Sequence, residues 1–313
     1  MVQAVLTPAR TRRRRSRRPW LFLLVLLVAG IAVVFVRARI SAATRGYSHT
    51  RGATVVRYTL ASRLLGRSLP EIAVVPPGGG PRPLLVFLHG RHDRSPLAWL
   101  IGSKTGPESV LSDQFFAGLA QLGAKAPVVV LLNGDGHSYY HDRADGPWAS
   151  MILREAIPDA VQRFGTAPGR IAIGGESMGG YGALHLAALR PSEFCAVGGH
   201  SAALWLTGGQ SAPGAFDDAE DYVRNDVYTA ARRGAFDRLP VWIDGGTADP
   251  FRVADSSFVT VLRRRHVKVT YHVWPGGHTH AYWSAHMAAY LRFYASALAS
   301  CPSASSAEPD GMK

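Results

Sequence analysis

Runs of near-continuous valine, isoleucine and leucine alternate with helix-spaced segments along most of this chain. The runs at 83–90, 127–134, 170–175, 194–199, 240–246 and 267–274 read as strands, and "LLVFL" and "VVVLL" are apolar at every position. A strand apolar on both sides suits the interior of a parallel sheet covered on both faces. Helical patterns fall at about 108–122, 148–164, 178–189, 219–232, 252–265 and 281–298, with Pro158 expected to kink or interrupt the second. Two further strands, 53–62 and 71–77, precede the alternation and read as an antiparallel pair. The expectation is an α/β protein with a mostly parallel, doubly wound sheet.

The formal charge of +13 suggests a nucleic-acid partner until it is located. Residues 1–46 hold ten arginines and no acid, leaving 25 Lys+Arg against 22 Asp+Glu elsewhere. The folded part is therefore nearly balanced, and a basic nucleic-acid groove is not expected. Seven arginines precede the uncharged run Trp20–Val36. Its 17 residues are at the short end for a membrane span, and the arginines favour a cytoplasmic N-terminus. An uncleaved signal anchor is the preferred reading, against a cleaved signal peptide or a buried core helix. "SRRPWL" also loosely resembles a twin-arginine export signal. The organisation expected is a basic segment 1–19, a transmembrane helix 20–36, a linker 37–52, a catalytic domain 53–298 and a disordered tail 299–313. Cys195 and Cys301 are read as a buried thiol and a tail thiol, although export would permit a disulfide.

In open α/β sheets the chemistry collects at the carboxyl ends of the strands, and four ends here are loaded. "GGESMGG" puts Ser177 between a strand and a helix in a G-x-S-x-G pattern, which lifts a nucleophilic hydroxyl clear of the backbone. "IDGGTADPF" offers Asp249, with Asp244 as rival, to orient a base. "WPGGHTHAYW" offers His278, favoured over His280, as that base. The order Ser, Asp, His is that of α/β-hydrolases. "FLHGRHD" supplies a loop after a strand, so the backbone N–H groups of Arg91 and Met178 are the expected oxyanion donors.

With these residues in view, the chain resembles the esterase D-type branch of the α/β-hydrolases, which also contains the mycolyltransferases (fibronectin-binding antigens). The matching stretches are "LLVFLHGR", "HSYYHDRADGPWASMILREAIP", "GGESMGGYGALHLA", "AVGGHSAALW", "IDGGTADPF" and "GGHTHAYW", covering most of residues 83–283. In the family's ending the catalytic histidine stands five residues before a tryptophan, which maps onto His278 and Trp283. The resemblance implies an α/β-hydrolase fold, the triad Ser177, Asp249 and His278, and the Arg91 and Met178 amides as oxyanion hole. Two departures matter. Relatives acting on S-formylglutathione are cytosolic and lack an anchor, so that substrate is not expected. Mycolyltransferases differ after the nucleophile, where this chain has "GGYGAL".

The expected function is a serine esterase working outside the cytoplasmic membrane on a small-molecule or lipid ester, with no metal or organic cofactor. The alternatives are an acyltransferase using a sugar or lipid hydroxyl, and a non-catalytic cell-envelope binding domain. Segments 134–148 and 202–222 are expected to line the pocket. Tyr139, Tyr140, Trp148, Trp205 and Leu206 form either an apolar acyl wall or ordinary core.

Overall fold

The computed structural model describes residues 20, 23–28, 30–31, 49–92 and 106–301. β1 (Thr54–Ser62) and β2 (Arg67–Val75) form an antiparallel hairpin with Thr54 opposite Val75 and Ser62 opposite Arg67. β3 (Leu84–Leu88), β4 (Val128–Leu132), β7 (Ile171–Glu176), β8 (Val197–His200), β9 (Val241–Gly246) and β10 (Val269–Trp274) run parallel to one another. The eight-stranded sheet has the order β1-β2-β4-β3-β7-β8-β9-β10, with β2 antiparallel to β4. A two-residue ribbon, β5 (Asp142–Arg143) with β6 (Gly146–Pro147), stands apart from it. All eight strands read from the sequence are present; β2 starts four residues earlier than expected.

The apolar pattern of the central strands now has a cause. Leu84, Val86 and Leu88 face one core, while Leu85 and Phe87 face the other. One face is covered by α1 (Asp113–Gln121) and α8 (His280–Ser300), which supply Phe115, Leu119, Tyr290, Leu291 and Leu298. Gly118 lets them close: a Cβ there would lie 3.0 Å from Ala288 Cα. The opposite face is covered by α2 (Trp148–Met151), α3 (Ile157–Phe164), α4 (Met178–Leu189), α6 (Val227–Arg232) and α7 (Arg252–Arg264).

Three local departures have physical reasons. Between α2 and α3 lies a π-helical turn, Ile152–Ala156, so the helix runs on through Pro158, which follows the widened turn directly. The wide turn aims Glu155 at the β1–β2 connection, where it accepts from Ser62 Oγ (2.5 Å) and the Arg63 and Leu64 N–H groups. The helix expected over 219–232 is two, α5 (Ala219–Arg224) and α6, because the Asp226 carboxylate caps a new start by accepting from Tyr228 and Thr229 N–H. The helix expected from 108 becomes a 3₁₀ turn, Gly106–Val110, and α1 begins only after the Ser112 cap.

Cys195 and Cys301 are joined in a disulfide, with Cα atoms 5.6 Å apart across 106 residues of sequence. The reading of two separate thiols is corrected. α8 also runs to Ser300, so residues 299–301 belong to the fold and not to a tail. The bond staples the end of α8 to the segment leading into β8.

The described residues divide into two compact units, one holding those up to residue 31 and the other those from residue 49 on. In the first unit, Trp20, 23–28 and 30–31 are helical and exposed. The rest of the expected 20–36 span, the linker as far as residue 48 and the tail from 302 lie outside the described residues. Among the described residues no helix is long and apolar enough to cross a membrane.

A cross-link closing so long a loop restricts the unfolded chain strongly, by about 4–5 kcal/mol on the chain-entropy argument. Cys301→Ser is expected to lower unfolding free energy by about 2–5 kcal/mol. Urea denaturation of the wild type with and without reductant, beside the variant, measures it. An unchanged midpoint would show the staple to be dispensable.

Candidate active site

Ser177 sits between β7 and α4 with φ 55° and ψ −118°, a left-handed backbone that an L-residue adopts only under constraint. The constraint is visible. Ser177 N–H donates to His200 O (3.0 Å), and Ser177 O accepts from Tyr181 and Ala203 N–H. A Cβ at Gly175 would lie 2.5 Å from Gly179 O, and one at Gly179 would lie 2.1 Å from Leu88 O. The pattern needs glycine at both places because β3, β7 and α4 meet there without room for a side chain.

His278 reaches Ser177 from the loop after β10. Its Nε2 is 2.8 Å from Ser177 Oγ, and its Nδ1 is 3.0 Å from Asp249 Oδ2. Phe251 N–H donates to the other carboxylate oxygen at 2.8 Å. Burial alone would raise the Asp249 pKa. The bonds from His278 and Phe251 outweigh it and hold the carboxyl below its ordinary value. An ionised Asp249 accepts, so Nδ1 carries the proton and Nε2 faces the serine hydroxyl as acceptor. The acid and histidine loops touch: Ala248 N–H donates to Gly276 O (2.8 Å), and a Cβ on Gly246 would lie 2.3 Å from that oxygen. Trp283 packs edge-on to the His278 ring at 5.0 Å and Phe251 does so from another side.

The rival residues are placed elsewhere. His280 opens α8 on the exposed surface and its Nε2 meets Ser284 Oγ. Asp244 is fully buried and bonded to His200 Nδ1 (2.7 Å), Trp242 Nε1 (2.7 Å), Tyr290 OH (2.8 Å) and Tyr282 OH (3.0 Å). It organises the core behind the site.

A cleft of about 640 Å³ opens over Ser177 and His278, lined also by Arg91, His92, His137, Tyr139, Ala203 and Phe251. Of the five expected pocket residues only Tyr139 lines it. Tyr140 is fully buried, its ring filling the space beside Gly134 and Gly182 and its O–H donating to His89 O (3.1 Å). Trp148 is core, with Nε1–H on Asp145. Trp205 is buried against Tyr139, Phe216 and Phe251, one layer behind the wall. Leu206 is 47% exposed and outside the cleft. The segments bearing these residues are tied together: Arg143 bonds Asp217, and His141 Nε2 meets Asp221 Oδ2 at 2.9 Å.

Met178 N–H is the first of α4 and Arg91 follows the β3 end. Among the described residues neither N–H has an acceptor. The chain at Gly90 passes Ser177 so closely that a Cβ there would lie 3.3 Å from Ser177 Cβ. Two buried groups beside this loop lie within quoted motifs but were given no role from the sequence. His89 and Glu176, the residue within the elbow, are both buried. Their signal was position alone: both stand at strand ends, next to residues already singled out.

Fold and site together define a serine hydrolase of the α/β-hydrolase type. A family model described as "Putative esterase" matches residues 69–294, and the chain belongs to this esterase family. It is thus an ester hydrolase or acyltransferase, as the resemblance implied. The fold is similar to a ferulic acid esterase (TM-score 0.65, 20% identity, 78% of this chain and 98% of that one). It is similar to an S-formylglutathione hydrolase from Agrobacterium tumefaciens (0.60, 20%, 79% and 96%). It is also similar to Mycobacterium tuberculosis MPT51 (0.60, 20%, 79% and 99%).

Burial pushes the Glu176 pKa up to about 8, against the lowering effect of the Gly90 N–H. The folded protein therefore keeps a proton that the unfolded chain, near 4.5, gives up. Its stabilising effect is full below 4.5 and is lost as pH rises through 8, with a slope approaching about 1.4 kcal/mol per pH unit. Glu71 behaves alike for the same reason. Glu176→Gln is expected to flatten the fall in stability between pH 5 and 8 by up to that slope, read from urea midpoints across the range. A parallel curve would mean that Glu176 is already ionised in the fold.

Proposed function

We propose that the protein is a carboxylic ester hydrolase acting through an acyl-enzyme at Ser177. The observation that carries this reading is the continuous relay of Ser177, His278 and Asp249. Ser177 Oγ attacks the acyl carbonyl as its proton passes to His278 Nε2. Asp249 holds the ring in the Nδ1–H tautomer and stabilises the imidazolium. The Arg91 and Met178 N–H groups receive the oxyanion. Collapse expels the alcohol, which takes the proton from Nε2. Water, deprotonated by His278, then releases the acid and frees Ser177.

Ser177→Ala is expected to lower turnover of 4-nitrophenyl butyrate by about 10⁴-fold or more and to abolish fluorophosphonate labelling. His278→Ala should match it, and His280→Ala should not. A purified wild-type enzyme that neither labels nor turns over esters would favour a non-catalytic envelope domain. Product analysis with trehalose or glycerol present decides the acceptor: acylated alcohol exceeding free acid would make transfer the main reaction.

The described cleft lining carries Arg91, His92 and His137 and no carboxylate. An ester with a fixed positive charge is therefore disfavoured. Butyrylcholine is expected to show a kcat/KM at least about threefold below its neutral isostere 3,3-dimethylbutyl butyrate, with the gap narrowing in salt. Equal rates at low salt would remove charge from the account of specificity.

The proposed location is outside the cytoplasmic membrane, with residues 20–36 as anchor. The arginine-before-apolar order supports the topology, and the disulfide fits an oxidising compartment. Protease accessibility in intact and lysed cells tests it.

A further inference from the structure

His89 ends β3, is fully buried, and makes two hydrogen bonds that fix its protonation. Nδ1 lies 2.8 Å from Gly90 O, and a carbonyl only accepts, so Nδ1 carries the proton. Nε2 lies 3.2 Å from Gly134 N, and an N–H only donates, so Nε2 is bare. Burial, the largest influence, lowers the ring pKa to about 4, which keeps this neutral tautomer through the neutral range. The Gly134 side is itself fixed, because the neighbouring Asn133 N–H donates to the buried Glu71 carboxyl at 2.7 Å.

Two consecutive peptide planes run through His89, Gly90 and Arg91, and they have four polar ends. The His89 carbonyl accepts from Tyr140 O–H at 3.1 Å. The Gly90 N–H lies close enough to the Glu176 carboxyl to lower its pKa. The Gly90 carbonyl accepts from His89 Nδ1–H. The fourth end, the Arg91 N–H, has no acceptor among the described residues. A trans peptide is rigid, and its C=O and N–H point in opposite directions. Gripping the Gly90 carbonyl therefore aims the Arg91 N–H, and a donor on the carbonyl polarises the N–H of the same unit.

We propose that His89 is a positioning residue for the oxyanion hole, holding the Gly90 carbonyl so that the Arg91 N–H is fixed toward the developing oxyanion. The inference rests on the reading of Arg91 and Met178 as oxyanion donors to an ester attacked by Ser177. His89 touches no substrate and acts through one peptide plane. Its contribution grows as the carbonyl oxygen gains charge, so it belongs to turnover more than to substrate binding.

The test compares His89→Asn, His89→Gln and His89→Leu in the full chain. An asparagine amide nitrogen can occupy the place of Nδ1 and still donate to the Gly90 carbonyl. Glutamine places its amide near Nε2, and leucine donates nothing. The readouts are kcat and KM for 4-nitrophenyl butyrate and the inhibition constant of an alkylboronic acid, which forms a tetrahedral adduct on the serine. Thermal unfolding verifies that each variant folds. His89→Leu and His89→Gln are expected to lose about 10–100-fold in kcat, with KM within about threefold and boronate affinity weakened in parallel. His89→Asn should recover most of that loss. A folded His89→Leu or His89→Gln with kcat and boronate affinity near wild type overturns the proposal. Equal losses in His89→Asn and His89→Gln overturn it too, since they would make the role structural. If leucine does not fold, the Asn–Gln pair carries the comparison. Failure of the underlying reading looks different: the wild type itself would bind no boronate, or Ser177→Ala would stay active.

Discussion

The molecule is arranged around one unfavourable backbone conformation. Ser177 holds φ 55° between a strand and a helix, a cost of about 1–3 kcal/mol that the surroundings must offset. Hydrogen bonds to both its N–H and its carbonyl provide part of that. The remainder is steric: β3 and α4 approach until glycine alone fits at 175 and 179. Loosening that contact would let Ser177 relax, and the hydroxyl would swing away from His278. The Ser–His distance is thus a property of sheet and helix packing before it is a property of either side chain.

The same crowding places titratable groups where water cannot reach. Glu71, Glu176 and Asp255 are buried and pushed toward the protonated form, His89 toward the neutral one. For Asp255 burial is the main cause and the negative charges of Asp249 and Asp244 add to it. Two aspartates separated by one short loop take different roles because their donors differ. Asp244 receives four donors from buried side chains, whereas Asp249 receives one backbone N–H and the histidine. Donor supply, not proximity in sequence, assigns them.

That distinction explains what could be read from the chain and what could not. The central strand positions followed from apolar runs, since burial on both faces leaves a local mark at every residue. Ser177, Asp249 and His278 stood out because each follows a strand in a glycine-rich turn. The pocket wall left no such mark. Tyr140 and Trp148 lie on a predicted lining segment yet are core, and for Tyr140 the cause is a turn in which Tyr139 and Tyr140 both adopt left-handed backbone, with φ 52° and 56°. That pair turns the second ring beneath the loop, and no residue pattern announces it. The disulfide was hidden likewise, since its partners meet only after α8 has folded back across the sheet.

His89 shows the limit most clearly. In sequence it is one of several histidines at strand ends, and its neighbours Gly90 and Arg91 attract attention through the motif. Its role depends on which ring nitrogen carries a proton, and Gly134, 45 residues away, fixes that by bonding the other nitrogen. A histidine at a strand end can serve as base, as ligand or as brace. What separates these is the chemistry of its two partners: a hydroxyl and a carboxylate around His278, a carbonyl and an amide around His89. The first set passes a proton along. The second holds one still, and a loop whose amide must stay aimed while charge develops beside it needs a proton that does not move.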